Sequence, residues 1–254
     1  IIGTDIYLAP KSRLAKGQDK EAIHLPNRRL VLLAKNYKGY QNLCKISTIG
    51  YQEGFYYKPR VDHEVLKAYG SDLIALSGGS RGDVAHVFLE KGPEEALERI
   101  RLLKEIFPDS FYLELNRTGG SEWDALNKFF IEASSITGVP VVAANNVHYI
   151  EQEEQLAQEV LICIGSNKTL QDESRYRLGS DQFFFKSSAQ MRTLFKDIPE
   201  ACDRTLEIAE QCNVKFKIKD EKGKAIYHLP NFTSDDGKSP QDLIRCLVDL
   251  GLEK

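Results

Sequence analysis

The sequence predicts an α/β fold, either a βα-barrel or a doubly wound sheet. Three observations carry that expectation. Short, continuous apolar runs recur as far as residue 144; stretches of helical period separate them; and the links between the two are short. Continuous runs suit strands buried on both faces of a parallel sheet. Strand–helix–strand repetition with short links selects the two architectures named.

The strand candidates are IIGTDIYLA (1–9), RLVLLA (29–34), DLIALS (72–77), FYLEL (111–115) and VPVVAA (139–144). Pro140 sits near a strand start, where its missing N–H matters least. Residues 93–107 open with Pro93, a good first-turn residue, and Ala96, Ile100, Leu103 and Phe107 recur on one helical face. Residues 121–137 repeat the pattern with Trp123, Leu126, Phe130 and Ala133, and Gly138 supplies a stop. After residue 150 the pattern changes. A helix is expected over 151–164, then a polar stretch GSNKTLQDESRYRLGS (165–180), a short strand in DQFFFKS, and helices in SSAQMRTLF and PEACDRTLEIAEQC. KFKIKDEKGKAIYHL reads as a hairpin around Asp220–Gly223, and a last helix begins near Ser239-Pro240. The expected division is 1–165 for the βα portion and 166–254 for a helical and hairpin connector.

Hydrophobic content of 42% and charged content of 28% are those of a soluble globular protein. No apolar run approaches the roughly 18–20 residues of a membrane span, and the opening IIGTDIYLAPKSR has no basic n-region or cleavage site. Opening in mid-strand without methionine, the chain reads as a fragment. The net charge of −3 provides no general attraction to nucleic acid. Five cysteines without a CxxC pair read as buried thiols in a reducing, cytoplasmic setting.

In parallel βα architectures functional groups gather at the carboxyl ends of strands. There the sequence offers Asp5, Arg28-Arg29, Ser77-Gly78-Gly79, Glu114 with Asn116-Arg117, and Asn145-Asn146-Val147-His148. Period two places residues 146 and 148 on one side of an extended chain. Metals that hydrolyse phosphate esters want imidazole nitrogens and carboxylate oxygens, and Asp5 and His148 are the candidates. His24, His63, His86 and His228 lack ligand spacing and read as packing or surface residues, and Glu114 as structural. GFYYKPR (54–60) mixes aromatics with Lys58 and Arg60, a combination that serves loop packing or base stacking. SGGSRGD (77–83) lacks the lysine of a phosphate-binding loop, and neither GxSxG nor HExxH occurs.

LVLLAKNYKGYQNLCKIS, EGFYYKPRVD, LIALSGGSRGDV, YLELNRTG, VPVVAANNVHYI, DQFFFKSSAQM and IPEACDRTLEIAEQCNV resemble, in this order, the N-terminal part of bacterial replicative DNA polymerase III α subunits. The resemblance covers almost the whole chain. It implies a PHP (polymerase and histidinol phosphatase) domain, a metal-binding βα-barrel in relatives, here lacking its first strands, with IYHLPNF and the next helix leading toward the polymerase palm. It implies a parent enzyme that uses DNA, deoxynucleoside triphosphates and Mg²⁺ bound in the palm, and that meets a proofreading exonuclease and other replisome subunits.

The implied ligand positions compare one by one. Asp5 stands where many relatives carry glutamate. Arg29 replaces a histidine, Gly79 a cysteine and Asn146 an aspartate, and only His148 keeps the family residue. The expectation is a degenerate site with no metal or a weakly held one, in which Arg29 pairs with Asp5, and a structural and docking role for this segment. The rivals are an active metal-dependent phosphoesterase or 3′–5′ exonuclease of the same superfamily, and a free-standing binding module.

Overall fold

The computed structural model describes residues 1–15, 27–119, 121–227, 232 and 234–252. His24 and His228 lie outside the described residues, as does most of the IYHLPNF stretch. Six strands form one sheet: β1 (Gly3–Leu8), β2 (Arg28–Ala34), β3 (Arg60–Val61), β4 (Leu73–Leu76), β5 (Phe111–Asn116) and β6 (Val141–Ala144), in the order β3-β1-β2-β4-β5-β6. All five strands expected from the sequence are present, but the sheet is mixed rather than parallel. β2 runs antiparallel to both β1 and β4, while the β1–β3, β4–β5 and β5–β6 pairs are parallel. In β2 buried residues alternate with half-buried ones, the pattern of a strand whose two faces meet different surroundings.

Helices fill the links: α1 (Tyr37–Gln52), α2 (His63–Tyr69), α3 (Asp83–Lys91), α4 (Pro93–Ile106) and α5 (Ser121–Thr137), followed by α6 (Gln155–Ser166), α7 (Ser188–Leu194) and α8 (Pro199–Gln211). Their starts carry local signals. Asn36 accepts the Gly39 N–H ahead of α1, Asp62 the Val65 N–H ahead of α2, and Ser187 and Gln190 form a reciprocal capping box at α7. DQFFFKS does not form a strand of its own. It makes one bridge, Tyr149 to Phe184, because its backbone bonds are spent pinning the chain after β6.

Register sorts the side chains. Residues directly opposite one another share a face. Ile6, Leu8, Leu30, Leu32, Leu73, Ala75, Phe111, Leu113 and Val141 therefore belong to one side, where the helices bury them in the main core. The other side carries Ile74, Tyr112 and Val142, which pack with Ile208 of α8 and with Leu33, Leu76 and Cys212. α8 thus fills the apolar part of that second face, and Arg204 donates to the Val141 carbonyl. This packing carries the first compact unit through Lys215, past the division expected at residue 165. The second unit, Phe216–Lys254, holds the expected turn, closed by Asp220 N–H to Lys224 O at 2.8 Å, and α9 (Pro240–Leu252). The thiols differ from expectation: Cys163 and Cys202 are buried, but Cys44 is exposed.

One charged cluster is buried beneath α3. Asp83 accepts from Arg28 at 3.0 Å and from Arg99, and lies 3.2 Å from His63. Arg28 also reaches Glu90 at 2.8 Å. Burial works against the Asp83 carboxylate, but the His63 hydrogen bond and the charge and hydrogen bond of Arg99 outweigh it and hold its pKa well below the ordinary value. Removing one partner of such a group leaves buried charge uncompensated, so Asp83→Ala is expected to cost about 3–5 kcal/mol in urea denaturation. A depressed carboxylate stabilises fully above its unfolded pKa of about 4 and loses that contribution as the pH falls. The acid side of the stability profile should therefore flatten in the variant.

Candidate functional site

Because β2 is antiparallel, its first residues lie at the end of the sheet where β1, β4, β5 and β6 finish. Tyr7 faces Arg29, Asp5 faces Val31, Val31 faces Leu76, Leu76 faces Tyr112, and Glu114 faces Val142. Asp5, Arg29 and Glu114 consequently share the face opposite the main core. They open into a cleft of about 640 Å³ that is also lined by Gly79, Asn146 and His148. One cleft thus gathers all five positions singled out from the sequence, together with Glu114.

Asp5 and Arg29 form the expected ion pair, Oδ2 to Nη1 at 3.1 Å, with both side chains part-exposed. The guanidinium also lies 5.8 Å from the centre of the Tyr7 ring. Burial raises the Asp5 carboxyl, and Arg29 pulls it partly back. Glu114 is pushed up to about 6 by burial, against the lowering effect of hydrogen bonds from the Gly78 and Gly79 backbones, while the Asp5 charge adds to the rise. Burial and the Arg81 charge both lower the His148 pKa, which favours the neutral imidazole.

The strand end that carries His148 is tied down by backbone. His148 N–H donates to Phe183 O at 2.8 Å, Asn145 Nδ2 donates to Phe184 O at 3.0 Å, and the imidazole meets the Phe183 ring edge-on at 5.5 Å. Asn146 and His148 remain exposed to the cleft. Gly79 has φ +60, so a side chain there would strain the backbone, although the Trp123 ring would leave a Cβ its ordinary 3.5 Å. Its backbone, with that of Gly78, is what serves the Glu114 carboxylate. Among the described residues, no group of three or more His, Cys, Asp or Glu side chains is placed to hold a metal ion. His63 is bound up with Asp83, and His86 lies 3.9 Å from Glu90.

Glu114, read from the sequence as structural, also lines the cleft. The signal was a lone carboxylate in the buried strand FYLEL, two residues from Tyr112 and so on the site face. Arg81, Tyr176, Arg177 and Leu178 also reach the cleft. The last three come from the polar stretch that reads as a connector, and no sequence signal marks them.

Residues 1–118 match the PHP domain family. The chain is 40% identical over 221 residues to the DNA polymerase III subunit alpha of Borreliella burgdorferi, covering 86% of this chain and 19% of that protein. It is 37% identical to that of Treponema pallidum over 99% of this chain and 21% of the relative, and 36% identical to that of Thermus aquaticus over the same shares. The fold and the match over 1–118 define a PHP-type α/β domain. The chain belongs to the DNA polymerase III α subunit family and corresponds to its PHP-bearing region. It spans about a fifth of the length of these relatives.

A carboxyl raised in the folded state favours folding at low pH, and the benefit disappears as pH rises through its folded pKa. Glu114→Gln keeps an acceptor for the Gly78 N–H but cannot ionise. Its stability relative to the native chain is expected to rise between about pH 4.5, the ordinary Glu value, and pH 6. Chemical denaturation at a series of pH values would read this, and a parallel profile for the two proteins would contradict it.

Proposed function

We propose that this chain serves as the PHP segment of a replicative DNA polymerase catalytic subunit. The parent enzyme would extend a primer on a template from deoxynucleoside triphosphates in the cytoplasm, with Mg²⁺ held by carboxylates outside these residues. Identity with α subunits along most of the chain supports that reading. Within the segment, the proposal is a degenerate metal site and a structural and subunit-docking role, with a proofreading exonuclease and other replisome subunits as partners. Residues 1–165 and 166–254 would divide that work between the domain and its connector.

One observation supports the degenerate site above others: the Arg29 guanidinium 3.1 Å from the Asp5 carboxylate. A guanidinium cannot coordinate a cation, and its fixed charge opposes one. A polynuclear centre needs several anionic or imidazole donors. At the positions in question this cleft supplies Asp5 and His148 beside Arg29, Gly79 and Asn146. That set does not fit such a centre.

A second reading, an active phosphoesterase or 3′–5′ exonuclease, draws on Glu114. A carboxyl raised to about 6 beside Asp5 is the kind of group that moves protons near neutral pH. Hydrolysis assays on a phosphodiester ester and on single-stranded DNA, with and without EDTA, distinguish the readings. The first expects no chelator-sensitive hydrolysis and no difference between the native chain and Asp5→Ala. Hydrolysis abolished by both EDTA and Asp5→Ala would establish the second.

A further inference from the structure

On the far side of Asp5 a second cleft, of about 480 Å³, is walled by Tyr7, Tyr51, Phe55, Tyr57 and Lys58. Its rim comes from the loop 54–60, which is clamped from beneath. The buried Arg60 donates from Nε to Gly54 O at 3.2 Å and from Nη2 to Ala15 O at 3.0 Å, and its guanidinium lies 5.2 Å from the Tyr56 ring centre. A Cβ on Gly54 would come within 1.8 Å of the Arg60 carbonyl, so the loop closes this tightly only with glycine there. Arg60 is therefore a structural clamp, while Lys58 lines the cleft.

At the tip, Tyr56 N–H donates to Lys58 O at 3.1 Å in an antiparallel bridge that spans Tyr57, whose φ is +57. A bulky residue rarely accepts the left-handed region. Glycine would fit without strain, yet the position holds a tyrosine that is 83% exposed. Backbone strain of this sort persists where the surroundings impose it, and it gathers at ligand-binding sites. Beside it, Tyr51 and Phe55 are 61% and 48% exposed, with rings 6.2 Å apart and 18° between their planes. Lys58 Nζ lies 5.8 Å from the Tyr7 ring centre.

Flat rings presented to solvent at the end of α1 and on a clamped loop, with Lys58 beside them, match the chemistry of unpaired bases and a backbone phosphate. A protein anchor would favour a drier pocket than one also lined by Thr4, Asp5 and Ser47. With a net charge of −3, the chain exerts no general pull on a polyanion, so the rings have to carry the affinity. We infer that Tyr51, Phe55 and Tyr57 form a stacking platform for single-stranded nucleic acid, with Lys58 on a phosphate. This requires neither polymerase nor hydrolase activity of the chain.

The test is fluorescence anisotropy of the full 254-residue chain with labelled oligothymidylate of roughly 12 nucleotides, within the site sizes of such platforms. Tyr57→Gly is expected to weaken binding about tenfold, with the melting temperature unchanged or raised because glycine adopts this φ freely. Phe55→Leu, which keeps apolar bulk but removes the flat ring, should weaken binding similarly. An abasic strand of equal length should bind the native chain about tenfold more weakly or worse. The salt dependence should be shallow, with a log–log slope of about −0.7 for one phosphate, and Lys58→Ala should remove it. Absence of binding by the native chain, equal binding of the abasic strand, or unchanged affinity in a folded Tyr57→Gly variant would overturn the inference and leave these rings to a protein partner. If Tyr57→Gly failed to fold, the abasic comparison on the native chain would still decide.

Discussion

The antiparallel run of β2 is the constraint on which the rest of this molecule depends. A parallel strand would deliver its last residues to the functional end of the sheet. β2 delivers its first ones, Arg28 and Arg29, and strand alternation sends them to opposite faces. Arg28 turns to the helix side, locks into the buried Asp83 carboxylate and reaches the part-exposed Glu90, which ties β2 to α3. Arg29 turns to the cleft and meets Asp5. Two neighbouring residues of one type therefore do different work, one in holding the fold and one in setting the charge of the site.

The two faces of the sheet follow from the same register. One is covered by helices from the links between strands. The other is divided: α8 seals its apolar part through Ile208, and the polar end stays open as the cleft. The edges are managed as well. β3 is only two residues long, and at β6 the Val141 carbonyl is taken by Arg204. In the cleft, the part-exposed Asp5–Arg29 pair contributes little to stability by itself, as exposed pairs generally do. Its consequence is electrostatic: it places a permanent cation in the cleft beside Asp5.

Much of this was legible in the sequence, because apolar runs and helical periods report burial directly. The five long strands, the helices over Pro93–Ile106 and Ser121–Thr137, and the turn at Asp220–Gly223 all follow from local pattern. Strand direction did not, since a continuous apolar run looks alike in either sense and the alternation in RRLVLLA is visible only once burial is known. DQFFFKS carries strand-forming residues but spends its carbonyls on the chain after β6, a tertiary demand with no local signature. Asp5 and His148 were named from strand-end position and chemistry, Arg29, Gly79 and Asn146 as ligand positions from a family resemblance, and their convergence in one cleft is a product of register. Glu114 reads from the sequence as a structural carboxylate; its raised pKa comes from burial, which composition cannot show.

The central claim is that the Arg29 charge beside Asp5 takes the place that cations would occupy. Manganese titration calorimetry on the native chain and on the double variant Arg29→His/Asn146→Asp tests it most directly. The account predicts no stoichiometric binding by the native chain. The double variant should gain about tenfold or more in affinity, the size of effect that lesser changes around metal ligands already produce. Stoichiometric manganese uptake by the native chain, lost on Asp5→Ala, would contradict it.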